Sequence, residues 1–132
     1  MMSVDLTTES FVHEWFDLLS AHAPVEKLLP MVSGGELEMV FPERTLRSHD
    51  DFRDWYRVVG LTYADQDHVV EGVDVAPSSD GADLSVTVVW SAKQLSDGSQ
   101  VRVRVHQDWH LMTSDTGRPV ITKYRVGGFQ DL

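Results

Sequence analysis

The densest run of chemically capable side chains is Arg102-Val-Arg104-Val-His106-Gln-Asp108-Trp-His110, where ionisable residues occupy every second position. A period of two is that of a β-strand. Arg102, Arg104, His106, Asp108 and His110 therefore share one face, while Val101, Val103, Val105, Gln107, Trp109 and Leu111 share the other. Histidine paired with aspartate orients an imidazole as a base that operates near neutral pH, which suits general acid–base catalysis. His106, Asp108 and His110 are accordingly the candidate catalytic residues. Neighbours on one face lie about 6–7 Å apart, near enough for a protonated imidazole to lower the aspartate pKa, whereas apolar surroundings would raise it. The same spacing argues against a metal centre. His106 and His110 are four residues apart, about 13 Å along a strand, and cannot share one ion.

A second set of side chains suits binding. Trp15, Phe41, Tyr56, Trp90 and Tyr124 are aromatic residues able to line an apolar cavity, with a tyrosine hydroxyl at its rim to orient a ligand. Glu38, four residues before Pro42, is the candidate pocket carboxylate, set against a solvent-facing strand position. His13 stands next to Glu14 and is expected to face water. His22, His49 and His68 fall near element ends, where capping or solvation is expected. No Ser-His-Asp spacing, glycine-rich phosphate loop or nucleotide fingerprint occurs.

The elements that must position these residues are legible from periodicity. Phe11, Trp15, Leu18, Leu19 and His22 mark one face of a helix over residues 8–22, with Thr7 or Thr8 at its start. Pro24 opens a short second helix carrying Val25, Leu28 and Leu29, and Pro30 stops it. Gly34-Gly35 precede a strand over 36–41. Ser48 begins a third helix, with Asp51 three residues on and Phe52, Trp55, Tyr56 and Val59 on its apolar face. Beyond Gly60 the period changes from 3.6 to 2, and four strands follow over 68–75, 82–94, 99–113 and 118–127. The turns between the last three contain Gly98 and Gly117. Strands this long must twist, which lets a sheet curl around helices. The expected architecture is α+β: a cone-shaped, curved mixed or antiparallel sheet wrapped around three N-terminal helices, with a pocket at its open end.

Composition narrows the partners. The 132 residues suit one domain, 1–132, and no linker or repeat divides them. Twenty-one acidic against 11 basic residues give a formal charge of −10, which repels phosphate backbones and anionic lipid, so neither nucleic acid nor membrane is an expected partner. No cysteine is present, which removes disulfides, thiolate metal sites and cysteine nucleophiles and is compatible with a reducing compartment. No leader opens the chain and no apolar run reaches the ~20 residues of a membrane span. A cytoplasmic setting is the expectation.

Five segments then carry a resemblance: Phe11-Val-His-Glu-Trp-Phe-Asp-Leu-Leu19, Leu37-Glu-Met-Val-Phe-Pro42, Asp51-Phe-Arg-Asp-Trp-Tyr56, His106-Gln-Asp-Trp-His-Leu-Met112 and Gly117-Arg-Pro-Val-Ile121. In these, and in its element order, the chain resembles the nuclear-transport-factor-2-like superfamily, which includes SnoaL-like polyketide cyclases and ketosteroid isomerases. The resemblance puts Trp15 where ketosteroid isomerases carry an oxyanion-hole tyrosine, and Asp108 where they carry a protonated aspartate. Their general base, an aspartate before a proline, is here Phe41 before Pro42. SnoaL-like cyclases pair a histidine on the penultimate strand, matched by His106 or His110, with an aspartate on the last, which residues 120–126 lack. Each of these catalytic sets is incomplete in this chain.

Strand parity and the resemblance conflict at Asp108. Parity sends the valine and tryptophan face inward, whereas the resemblance puts Asp108 in the pocket. Both hold if the convex face is buried against a second copy, or if a bulge switches faces partway. The reading adopted is Asp108 inside, in a site for a small apolar or ring-containing molecule. The expected chemistry is proton transfer (isomerisation, cyclisation or dehydration) without a cofactor, in a homodimer. The alternative is a non-catalytic homodimeric binding or accessory module.

Overall fold

Val12, Trp15 and Phe16, with Phe11 and Leu19, form a continuous buried face, and this drives the first helix, α1 (Val4–Ser20), onto the sheet. The structure, a computed structural model, describes residues 4–132. The helix is already formed at Val4, so Thr8 lies inside it rather than at its start. It ends in a Schellman-type turn. The amide of Ala23 donates to the Leu18 carbonyl and that of His22 to Leu19, with His22 in the left-handed region at φ 46°. A histidine accepts this conformation reluctantly. It is held by stacking of its ring on Tyr56, 4.3 Å between centroids.

The short second helix is present as two consecutive 3-10 turns, Val25–Lys27 and Leu29–Met31. Strand β1 (Glu38–Val40) pairs with a two-residue strand, β2 (Thr45–Leu46), that periodicity does not reveal. Helix α2 (His49–Thr62) starts at the expected cap, where the Ser48 hydroxyl accepts from the Asp51 amide at 3.1 Å. The Asp51 carboxylate accepts in turn from the Arg47 amide.

Four long strands complete the sheet: β3 (Tyr63–Pro77), β4 (Gly81–Gln94), β5 (Gln100–Thr113) and β6 (Pro119–Asp131). β3 begins directly at the end of α2, five residues before the expected start. The order is β2-β1-β6-β5-β4-β3, antiparallel throughout except for β1 beside β6. Gly98 and Gly117 take φ 75° and 81°, the conformations their turns require. Bulges in β3 and β6 curve this open mixed sheet over the helices. Val86, Val88, Trp109 and Ile121 pack from its inner face against α1 and α2.

Candidate functional site

The β5 ladder keeps strict alternation, because the irregularities in its pairing with β6 insert their extra residues on β6. Val103, Val105, Gln107, Trp109 and Leu111 are buried inward, while His106 and Asp108 are exposed and His110 half-buried on the outer face. This corrects the expected position of all three candidate catalytic residues: Asp108 does not enter the cavity, and neither does His106 or His110. Their partners are cross-strand. His106 Nδ1 lies 3.2 Å from Thr87 Oγ1, Asp108 stands between Ser85 and Arg125 in register, and His110 Nδ1 lies 2.7 Å from Asp83. Asp83 and Asp80 hold the His110 pKa above its ordinary value against partial desolvation. The apolar face of β5 that suggested a second copy is turned to the helices.

Glu38 is corrected likewise. Buried Met39 points inward from β1, so Glu38 faces out and accepts from Arg47 at 3.2 Å. Trp15 is in the core rather than on a cavity wall. It is fully buried among Phe52, Trp109 and Tyr124, and its indole N–H meets no acceptor in hydrogen-bonding geometry among the described residues.

A cavity of about 240 Å³ opens between the end of α1, the inner side of α2, the Phe41–Glu43 turn and the sheet. Phe41, Tyr56, Trp90 and Tyr124, four of the residues selected from sequence, line it. Phe41 stacks on Trp55 at 4.5 Å, and Trp90 meets Tyr63 edge-on at 4.9 Å, giving aromatic walls. The Tyr56 hydroxyl is spent on the Ala23 carbonyl, and burial pushes its pKa up to about 12. Burial also drives the Tyr124 pKa upward, partly offset by the neighbouring Trp15 and Gln107 side chains.

The wall also contains a titratable group for which the sequence suggested capping or solvation. His68, on β3, lines the cavity and stacks on Phe16 at 5.4 Å. Ser20, the last residue of α1, holds it twice: its hydroxyl accepts the His68 backbone N–H at 3.0 Å and lies 2.9 Å from Nδ1. This leaves Nε2 as the ring atom available to a bound molecule. Desolvation lowers the His68 pKa to about 4, only partly offset by the charge of Asp67, so the ring is neutral across the physiological range. A β-bulge at Asp65, itself at φ 53°, starts the run that presents Gln66 and His68 to the interior. The alternation Gln66, His68, Val70 carried this information, as did Gln107, the one buried polar residue of β5. Ser20 gave no local signal, since it meets His68 across 48 residues.

No family model and no curated protein matches the sequence. Solved structures do resemble it. A proposed scytalone dehydratase from Novosphingobium aromaticivorans superposes with a TM-score of 0.84 at 13% identity, covering 100% of this chain and 92% of that one. A nuclear-transport-factor-2-like protein from Salmonella enterica gives 0.85 at 11% identity, covering 95% and 90%. Hexachlorocyclohexane dehydrochlorinase LinA-type3 from Novosphingobium barchaimii gives 0.81 at 13%, covering 97% and 89%. Similarity at this level establishes the fold, and the chain has the nuclear-transport-factor-2-like α+β fold.

Proposed function

We propose that the chain binds a small, largely apolar ring compound in this cavity and that His68 moves a proton on it, in the manner of an isomerase, cyclase or dehydratase. One observation carries the reading: an imidazole in the wall of an aromatic cavity, tethered through Nδ1 and kept unprotonated by burial. The cavity exceeds the roughly 150 Å³ that holds a benzene ring, so a one- or two-ring molecule fits.

The chemistry follows from which nitrogen bears hydrogen. With the proton on Nδ1 and donated to the Ser20 hydroxyl, the Nε2 lone pair is free to take a proton from carbon next to a carbonyl. The C–H electron pair becomes an enolate, and the proton resides on Nε2. A buried imidazolium with a hydroxyl for a partner, rather than a carboxylate, holds that proton weakly. It returns the proton readily to another substrate atom, a more distant carbon in an isomerisation or a departing hydroxyl in a dehydration, releasing water. The names of two of the similar proteins, a dehydratase and a dehydrochlorinase, describe eliminations and are compatible with such proton removal.

The test is proton exchange. Cyclic ketones incubated with the protein in heavy water should lose α-hydrogen signal by NMR faster than in buffer, and His68→Gln should abolish the acceleration. Equal exchange in wild type and His68→Gln would remove His68 as the base.

A further inference from the structure

Two glutamines line the cavity, and each is gripped by a tryptophan. The Trp90 indole N–H donates to Gln66 Oε1 at 3.2 Å, and the Trp109 indole N–H donates to Gln107 Oε1 at 2.9 Å. An indole nitrogen can only donate, so the amide atom facing it must be the oxygen. This removes the usual ambiguity between the two ends of a carboxamide. Each glutamine is thus locked with its NH2 group turned away from its tryptophan. No carboxylate or carbonyl of a described residue accepts from either NH2 group.

The two donors are far apart. Trp90, which holds Gln66, pairs in register with Val103, and Gln107 lies four residues further along β5. At about 3.3 Å per residue the two levels differ by about 13 Å along the strand. Besides the two glutamines, the polar side chains of the lining are His68, the tyrosines and the exposed Glu43; the rest is aromatic or aliphatic, and no lysine or arginine lines the cavity among the described residues. An anionic ligand would therefore enter without a lysine or arginine partner and lose its hydration.

We infer that Gln66 and Gln107 are specificity-determining donors, and that the ligand is a ring compound without an anionic group, with hydrogen-bond-accepting oxygens at opposite ends. The inference rests on the cavity being a ligand site, as proposed above, and it is independent of what His68 does there.

Three fused-ring compounds of one shape class separate the possibilities: tetralin with no acceptor, 1-tetralone with one, and 6-methoxy-1-tetralone with one at each end. Binding to the intact protein is measured by isothermal titration calorimetry. Each added acceptor is expected to tighten binding roughly three- to tenfold, although each also makes the compound better solvated in water. Gln66→Met and Gln107→Met should each remove one such increment while leaving tetralin affinity unchanged, and retained tetralin binding reports an intact cavity in the variant. Equal affinity for all three compounds in the wild type would overturn the donor assignment and leave the cavity as a ligand site. So would variants that lose tetralin and 6-methoxy-1-tetralone binding in equal proportion, which would make the glutamines packing residues. Failure of all three compounds to bind would count against the ligand site itself, and this inference would fall with it.

Discussion

His68→Gln separates the titration of the cavity imidazole from its packing, because a carboxamide can keep a hydrogen bond to Ser20 but does not ionise. In the unfolded chain the imidazole has its ordinary pKa of 6.5, and in the fold it is lowered to about 4. Between these values the unfolded state binds more protons than the folded one, so stability must rise with pH across the window. The contribution is fully favourable above pH 6.5, declines as pH falls towards 4, and is level below that. From pH 4.5 to pH 7 the linkage amounts to about 2 kcal/mol, and to nearer 1 if solvent reaches the part-exposed ring. The assay is urea unfolding followed by tryptophan fluorescence for wild type and His68→Gln, at half-unit steps over that range. The quantity read is the difference between the two curves. His110 titrates with the opposite sign, its raised pKa giving stability below pH 6.5 that is lost as pH rises through the raised value, but it is common to both proteins and cancels. If the two stability curves run parallel from pH 4.5 to 7, His68 is not desolvated, and the argument for a buried neutral base fails.

Asp108→Asn should leave ligand-induced quenching of tryptophan fluorescence unchanged, because the carboxylate lies on the outer face of β5, between Ser85 and Arg125. Loss of quenching in this variant would contradict the outward placement. Gly81→Ala should destabilise by roughly 3 kcal/mol in chemical denaturation, since an added Cβ would stand 1.9 Å from the Leu111 carbonyl oxygen and push β4 from β5. Gly72→Ala, where a Cβ meets nothing within 4 Å, is the matched control and should fall within about 0.5 kcal/mol of wild type.

The proposed function depends on a few polar groups, two of them held by residues distant in sequence and the third by a near neighbour. The imidazole of His68 is set by the end of α1, Gln66 by Trp90 on the next strand, and Gln107 by Trp109 beside it. Each holder is itself packed: Trp109 is buried against Trp15 and Phe16, and Trp90 is braced by Tyr63. Rigid aromatic supports of this kind keep hydrogen-bonding atoms in place without a bound ligand, which lowers the ordering cost of binding.

The architecture was readable in the sequence because it is encoded by local periods. The helical spacing of Phe11, Trp15 and Leu19, the change to alternation after Gly60, and the glycines at 98 and 117 each act within a few residues. The alternation of β5 was equally local, and read alone it put Val105, Gln107 and Trp109 inside. Reading the site from family resemblance instead moved the inward set by one residue, to Asp108. In a strand a one-residue slip exchanges the two faces completely. Only the tertiary structure decided which face met the helices, because that choice is made by α1 and α2 packing across the sheet. It also brought together the residues of the proposed site. Ser20 and His68 are 48 residues apart, and Gln66 and Trp90 are 24 apart. No window along the chain contains such pairs; they exist because the curled sheet brings β3 against the end of α1 and registers it on β4.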